Sequence, residues 1–179
     1  GDLQNDPRDI PKLLEKLEPF MVGGDTVLSS TYEDYKFLPA PEKFEAGLQN
    51  YAGIIGLGEA IRYLSQFDFN EIAEHELKLN TYLTKELQKI PSMKIIGPKN
   101  PKDRSGIIDF YIEKTDMNKF AVLLSEMANI SIRSGQHCVH SWFNSRKIFN
   151  SARISLYLYN TLEEAEAFIA NLNKIMKIL

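Results

Sequence analysis

An α/β architecture, more closely an α+β domain with a small sheet flanked by helices, is predicted for most of this chain by three observations. Short apolar runs of strand length recur at residues 93–96, 106–112, 130–133 and 152–159, separated by stretches of helical period. The last run alternates Ile154, Leu156 and Leu158 against Arg153, Ser155 and Tyr157, the pattern of a strand with one buried face. Thr161-Leu162-Glu163-Glu164 then has the spacing of a helix capping box, ahead of a closing helix expected to bury Phe168, Ile169, Leu172, Ile175, Met176 and Leu179.

The elements before that sheet read less regularly. Residues 1–11 are polar and hold two prolines, so they read as an irregular lead-in. A short helix is expected from Lys12, with Leu13, Leu14 and Leu17 on one side and Pro11 in its first turn. Gly23 and Gly24 break it, and residues 26–41, rich in Ser, Thr, Tyr and Pro, read as an extended arm or long loop. Residues 51–67 return to helical spacing through Ile54, Ile55, Ile61 and Leu64. Gly53, Gly56 and Gly58 in its first half each lower helix propensity by about 1 kcal/mol, which points to close packing there. Asn70 is placed to cap a helix over 71–90 striped by Ile72, Leu79, Leu83, Leu87 and Ile90, and Pro91 ends it. A further helix is expected over 116–127, with Phe120, Leu123, Leu124 and Met127 apolar.

Composition narrows the function classes. The 179 residues are enough for one domain with a proper core, or one domain and part of another. A net charge of -3 with no cluster of Lys and Arg argues against nucleic acid as a partner. No apolar run approaches the roughly 18 residues of a membrane span, so no membrane role is expected. A single cysteine forms no internal disulfide and fits a reducing, cytoplasmic setting.

The segment with the most chemistry in it is Arg133-Ser134-Gly135-Gln136-His137-Cys138-Val139-His140, placed between a strand and a loop. Two histidines and an arginine beside a thiol favour its thiolate, the nucleophilic form. The plainer reading is a small buried hydrophobe, the usual place of a lone cysteine. A zinc site is disfavoured because His137, Cys138 and His140 have no fourth ligand at a familiar spacing, and no metal is expected. Arg153, at the start of an apolar strand, must meet a carboxylate or reach solvent. For Arg153 taken by itself, a salt bridge or an outward-facing position is the plainer reading and the favoured one.

The run from Arg133 to Cys138, followed by Ala152-Arg153-Ile154-Ser155-Leu156-Tyr157-Leu158-Tyr159-Asn160-Thr161, is similar in content, order and spacing to the SUF-type cysteine desulfurases of the class V aminotransferase family. Phe44-Glu45-Ala46-Gly47-Leu48-Gln49-Asn50 with Gly53-Ile54-Ile55-Gly56-Leu57 resembles a second signature of that group. Leu14-Glu15-Lys16-Leu17-Glu18-Pro19-Phe20, leading to Gly23-Gly24, resembles a third. The resemblance runs from about Lys12 to Leu179. It implies a C-terminal portion of a pyridoxal-phosphate-dependent enzyme of fold type I. Residues 12–66 would be the end of the large cofactor-binding domain, and 67–179 the small domain.

By that resemblance, Cys138 is the residue that takes sulfur from L-cysteine as a persulfide, leaving L-alanine. Arg153 is the residue that binds the substrate's α-carboxylate with its planar fork of donors. Arg133 and His137 belong to the substrate-binding loop around the cysteine. Gly47 and Asn50 lie near the place where one subunit of the family's homodimer reaches the other's cofactor phosphate. The resemblance further implies a sulfur-acceptor or scaffold protein of iron–sulfur assembly as partner, the short Cys138 loop being similar to the subgroup served by such a partner.

Two departures stand out. Leu48 replaces a threonine that the family uses on the phosphate; a leucine side chain cannot donate that hydrogen bond, which leaves backbone groups nearby to do so. The family's cofactor lysine follows a histidine well upstream, whereas none of His75, His137 or His140 is followed by lysine. The isolated chain is therefore expected neither to bind pyridoxal phosphate nor to turn over, and Phe20, Met21 and Phe37 are expected to lack their usual partners. Residues 1–11 do not fit the family sequence, and Gly1 reads as an added residue. The competing expectations are a non-catalytic module for dimerisation or docking of a sulfur-transfer partner, and a selenocysteine lyase or other class V enzyme.

Overall fold

Strand alternation organises the larger part of the molecule. In the computed structural model, which describes residues 9–178, the strand Ile107–Ile112 turns Ile108, Phe110 and Ile112 inward, each 0–2% exposed, and Ile107, Asp109 and Tyr111 outward. The chain divides into two units, one up to Ser65 and one from Gln66 on.

The first unit begins with helix α1 (Ile10–Lys16), two residues earlier than its leucines suggest, with proline in its first turn. Residues 26–41, expected to be an arm or loop, form instead an antiparallel hairpin of β1 (Val27–Ser30) and β2 (Tyr35–Phe37). The Thr31 hydroxyl accepts the N–H groups of Glu33 and Asp34 and so builds the turn, while strands this short and serine-rich leave no hydrophobic alternation to read. Helix α2 (Tyr51–Leu64) follows, capped by the Asn50 side chain on the Gly53 N–H at 3.0 Å. Of its glycines, only Gly53 has the expected close neighbour, the Asn50 amide; Gly56 and Gly58 face open space. No residue of α2 is buried, and Phe20 and Met21 are exposed as expected, whereas Phe37 is half-buried against the Tyr35 ring.

The second unit is a four-stranded antiparallel sheet in the order β3-β4-β6-β5, with β3 Met93–Ile96, β4 Ile107–Ile112, β5 Arg133–Gly135 and β6 Ser151–Ser155. Three helices supply the rest of its core: α3 (Phe69–Leu87), α4 (Met117–Ala128) and α6 (Leu162–Ile175). Leu79, Leu83 and Leu87 of α3, Phe120 and Leu124 of α4, and Phe168 and Leu172 of α6 join Ile108, Phe110, Ala152 and Ile154 in one cluster. Phe110 is its centre, edge-on to Phe120 and Phe168 at 6.1 and 6.4 Å between ring centroids. The capping box on α6 is present, with Thr161 and Glu164 exchanging bonds. Met176 is half-buried, and the expectations for residues 1–8 and Leu179 lie outside the described residues.

In the second unit, α3, β5 and β6 differ from the expected bounds, each for a local reason. Helix α3 is capped by Asp68, whose carboxylate accepts the Asn70 N–H, so the helix starts before Asn70 rather than after it. It closes at Leu87, and a tighter turn carries the chain to Ile90. Strand β6 runs from Ser151 to Ser155 rather than over 152–159: the Leu156 N–H still meets the Gly106 carbonyl in register, but the Tyr157 N–H turns to the Asn160 side chain. Ile130 and Ile132 pack partly against the core without pairing, so β5 starts only at Arg133. The loop expected over 136–144 contains a further short helix, α5 (His140–Ser145).

Two buried polar clusters tie these elements together. Asn150, 5% exposed, accepts the Met117 N–H at 2.9 Å and donates to Asp116 at 2.8 Å, fastening the start of α4 to the start of β6. Asn80, fully buried, donates to the Ser105 carbonyl at 2.6 Å and, with Thr84, receives the Arg104 guanidinium. Replacing Asn150 by Ala leaves the buried Met117 N–H without an acceptor and should lower stability by about 1–3 kcal/mol. Urea unfolding with an unchanged m-value checks this.

Candidate functional site

The outer face of the sheet, opposite the helices, is where the polar residues collect. Asp109 of β4 is the cross-strand partner of Arg153 of β6, and Arg153 is in turn the partner of Arg133 of β5. One anion and two cations therefore form a row across three strands. Ser151, two residues before Arg153 and so on the same face, is fully buried. His137 leans onto this row: its Nε2 is 3.0 Å from Ser151 Oγ and 3.6 Å from Asp109 Oδ1. The Phe143 ring of α5, 1% exposed, stands 6.2 Å from the imidazole and shields it.

Several polar atoms of this cluster have their hydrogen-bonding capacity unspent. Asp109 Oδ1, His137 Nδ1 and Arg153 Nε are buried without a hydrogen-bond partner among the described residues. Native interiors hold few such groups, and three in one cluster mark a place arranged for something other than stability. Burial is the largest influence on the Asp109 carboxyl and raises its pKa, against the Ser151 hydroxyl and then His137 and Arg153, which favour the anion. Burial also dominates at His137 and lowers its pKa, with Arg153 and Arg133 adding to the depression and Asp109 opposing it.

Cys138 sits beside this cluster at the tip of a tight turn. The Val139 N–H returns to the Gln136 carbonyl at 2.9 Å, and both central residues, His137 (φ 49°) and Cys138 (φ 62°), are left-handed. That is the backbone of a type I′ turn, normally occupied by Asn, Asp or Gly. Gly135, with φ 120°, leads the chain into it at no steric cost. The Gln136 amide donates to the Phe149 carbonyl at 2.9 Å and anchors the turn. Cys138 is a free, exposed cysteine, so the plainer reading of a buried hydrophobe does not hold.

The structure thus brings Arg153, Arg133 and His137 onto one face, with Cys138 next in the chain. Gly47, Leu48 and Asn50 belong to the first unit, around a hollow also lined by Pro41 and Phe44. Gly47 has φ 101°, Leu48 is 90% exposed, and Asn50 spends its side-chain oxygen on capping α2. Sequence reasoning missed Asp109 and Ser151. The signal for Asp109 was present, a lone acid in the otherwise apolar and aromatic run from Ile107 to Ile112. Ser151 had none, since its importance comes only from strand pairing.

This combination of a small antiparallel sheet, core helices on one face and a charged face on the other has counterparts. The sequence profile described as Aminotransferase class-V matches residues 10–168. The chain belongs to the class V aminotransferase family. Within it, the similarity runs to cysteine desulfurases: a probable cysteine desulfurase of Xylella fastidiosa (strain 9a5c) is 38% identical over 93% of this chain. One from Streptomyces coelicolor is 34% identical over 92%. Among solved structures, the apo cysteine desulfurase of Thermococcus onnurineus NA1 superposes with a TM-score of 0.87 at 32% identity, covering 94% of this chain and 42% of that one. The cysteine desulfurase CsdA of Escherichia coli gives the same TM-score at 27% identity, covering 94% and 41%. This chain spans 39% of the length of the Xylella and Streptomyces relatives.

Two measurements test this geometry. Because His137 titrates below its ordinary 6.5 in the folded chain, its protonation favours unfolding. Its contribution to stability is complete above about pH 6.5 and is lost as the pH falls through the depressed value. Urea unfolding between pH 7.5 and 5.5 should show stability falling with pH, and His137→Asn, which does not titrate there, should flatten that slope. The turn gives the second test. Cys138→Gly should be more stable than Cys138→Ala by about 1–2 kcal/mol, since glycine alone takes φ 62° freely.

Proposed function

We propose that this chain carries the sulfur-accepting side of a cysteine desulfurase of SUF type, which converts L-cysteine to L-alanine and leaves a persulfide on Cys138. The observation that carries this reading is the outer face of the sheet. Arg153 and Arg133 offer a carboxylate site, and the turn at its margin holds an exposed thiol in a strained backbone. Arg153 would hold the α-carboxylate of the substrate, with Arg133 beside it. His137, shielded by Phe143, would line the site as a neutral ring. The substrate's carboxylate and sulfur belong to one small amino acid, so their protein partners must converge, and residues 133–138 connect the two.

The residues present fit the substrate and not the cofactor. Pyridoxal phosphate, when bound, supplies the electron sink that lets the substrate's carbon–sulfur bond break. No histidine of this chain is followed by lysine, and the Leu48 side chain offers the phosphate no donor; Asn50 spends its side-chain oxygen on a helix cap and keeps only its amide N–H donors. The groups that hold the cofactor would lie in the part of the family's length that this chain does not span. The complete protein would act as a homodimer in the cytoplasm and pass sulfur to an acceptor or scaffold protein of iron–sulfur assembly. Among the described residues no helix is long and apolar enough to cross a membrane.

Given pyridoxal phosphate and cysteine, the chain alone should release no alanine or sulfide above a protein-free control. In a protein that joins this chain to the remainder of the family's length, Cys138→Ala should abolish the persulfide seen by alkylation and mass spectrometry. The cofactor's absorbance change on adding cysteine should survive. Arg153→Ala should raise KM for cysteine by about 10- to 100-fold, as loss of a charge-assisted hydrogen bond implies. An unmodified Cys138 in an active wild-type protein would refute the assignment.

A further inference from the structure

The outer-face row has a charge balance that singles out Asp109. Arg153 and Arg133 are direct cross-strand partners, and like charges so placed repel. Asp109 flanks Arg153 on the other side, so two cations and one anion leave the row one positive charge in excess. His137 adds none at neutral pH, because burial and the two arginines keep its ring uncharged. The nearest outward-facing cation on β3, Lys94, is occupied by Glu113 at 3.6 Å. The row is matched to a single carboxylate.

Asp109 is also well placed to reject a second one. Its Oδ1 is buried and without a hydrogen-bond partner; burial raises its pKa, while the Ser151 hydroxyl and the Arg153 guanidinium favour its ionised form. A ligand that brings one carboxylate to Arg153 meets two donor-bearing neighbours. A ligand that brings two must hold the second against the fixed anion of Asp109, in a partly desolvated place where like charges interact strongly. Specificity built from such repulsion costs the correct ligand little, since its one charge is already neutralised by the arginines.

We propose that Asp109 is a specificity-determining residue: it restricts the Arg153–Arg133 face to ligands with one carboxylate, excluding dicarboxylic amino acids such as aspartate while admitting cysteine. This rests on reading Arg153 as the carboxylate binder, and it extends that reading to side-chain charge. Asp109 touches neither thiol nor reacting atoms in this account; its field sets which ligand stays.

The test is binding, so that it stands apart from turnover. Acetate and malonate are titrated into the 179-residue chain at pH 7.5 and constant ionic strength, following the Arg153 Nε–H signal by nuclear magnetic resonance. Wild type should bind acetate at least as tightly as malonate, although malonate carries twice the charge. Asp109→Asn, equal in shape, should move the acetate-to-malonate affinity ratio about tenfold toward malonate. Asp109→Glu should restore the wild-type order. In Asp109→Asn the His137 ring should also titrate lower than in wild type, because the neighbour that raises its pKa is gone. An unchanged affinity ratio in Asp109→Asn, or no saturable binding of either anion to wild type, overturns the inference. Neither outcome depends on whether the complete protein makes alanine and a persulfide, which tests the proposed activity separately.

Discussion

Everything at the candidate site depends on the pairing register of β4, β6 and β5. Because Asp109, Arg153 and Arg133 are directly opposite one another, three residues far apart in the chain become one row. A slip of one residue in either pairing would turn a charged side chain into the core and an isoleucine out of it. The register is in turn held by what lies beneath. Ile108, Phe110 and Ile112 alternate with Asp109, and Ala152 and Ile154 flank Arg153, so the core cannot fill without placing these charges outward. The hydrophobic core and the polar face are two readings of one alternation.

The same face shows how stability and chemistry are divided. Around Arg104, Asn80 and Thr84 take up one terminal nitrogen, and Asn80 also fastens the Ser105 carbonyl. Asn150 does the same for the start of α4. At the outer face, Asp109, His137 and Arg153 each keep a buried atom in reserve. The Arg104 cluster leaves two such atoms, Nε and Nη1, on a single residue, whereas here they come from three residues on three different segments. The left-handed His137 and Cys138 backbone lies at the margin of the same cluster.

Much of this was legible in the sequence, and the failures have physical reasons. The 3.6-residue stripes of α3, α4 and α6 and the capping box at Thr161 were strong local signals, and the structure contains all four. The hairpin over 27–37 was missed because its strands are short and polar, so pairing and a threonine-built turn create it rather than periodicity. β6 was overextended because Leu158 continues the alternation after the backbone, from Tyr157 on, has left the ladder for Asn160. Arg133, His137, Cys138 and Arg153 stood out through their motif. Asp109 and Ser151 did not, because their meaning lies in cross-strand neighbours that no single segment contains.

The turn carrying Cys138 has a mechanical corollary. It is pinned on one side by Gln136 to the Phe149 carbonyl and on the other by the helix that starts at His140. Between those fixtures lie three residues, whose fully drawn-out span is only about 10 Å. Sulfur held on so short a tether stays where it was received, and cannot be ferried across the surface by a swinging arm. In the function proposed here, delivery therefore falls to the recipient, which must bring its own nucleophile down to the rim of the sheet.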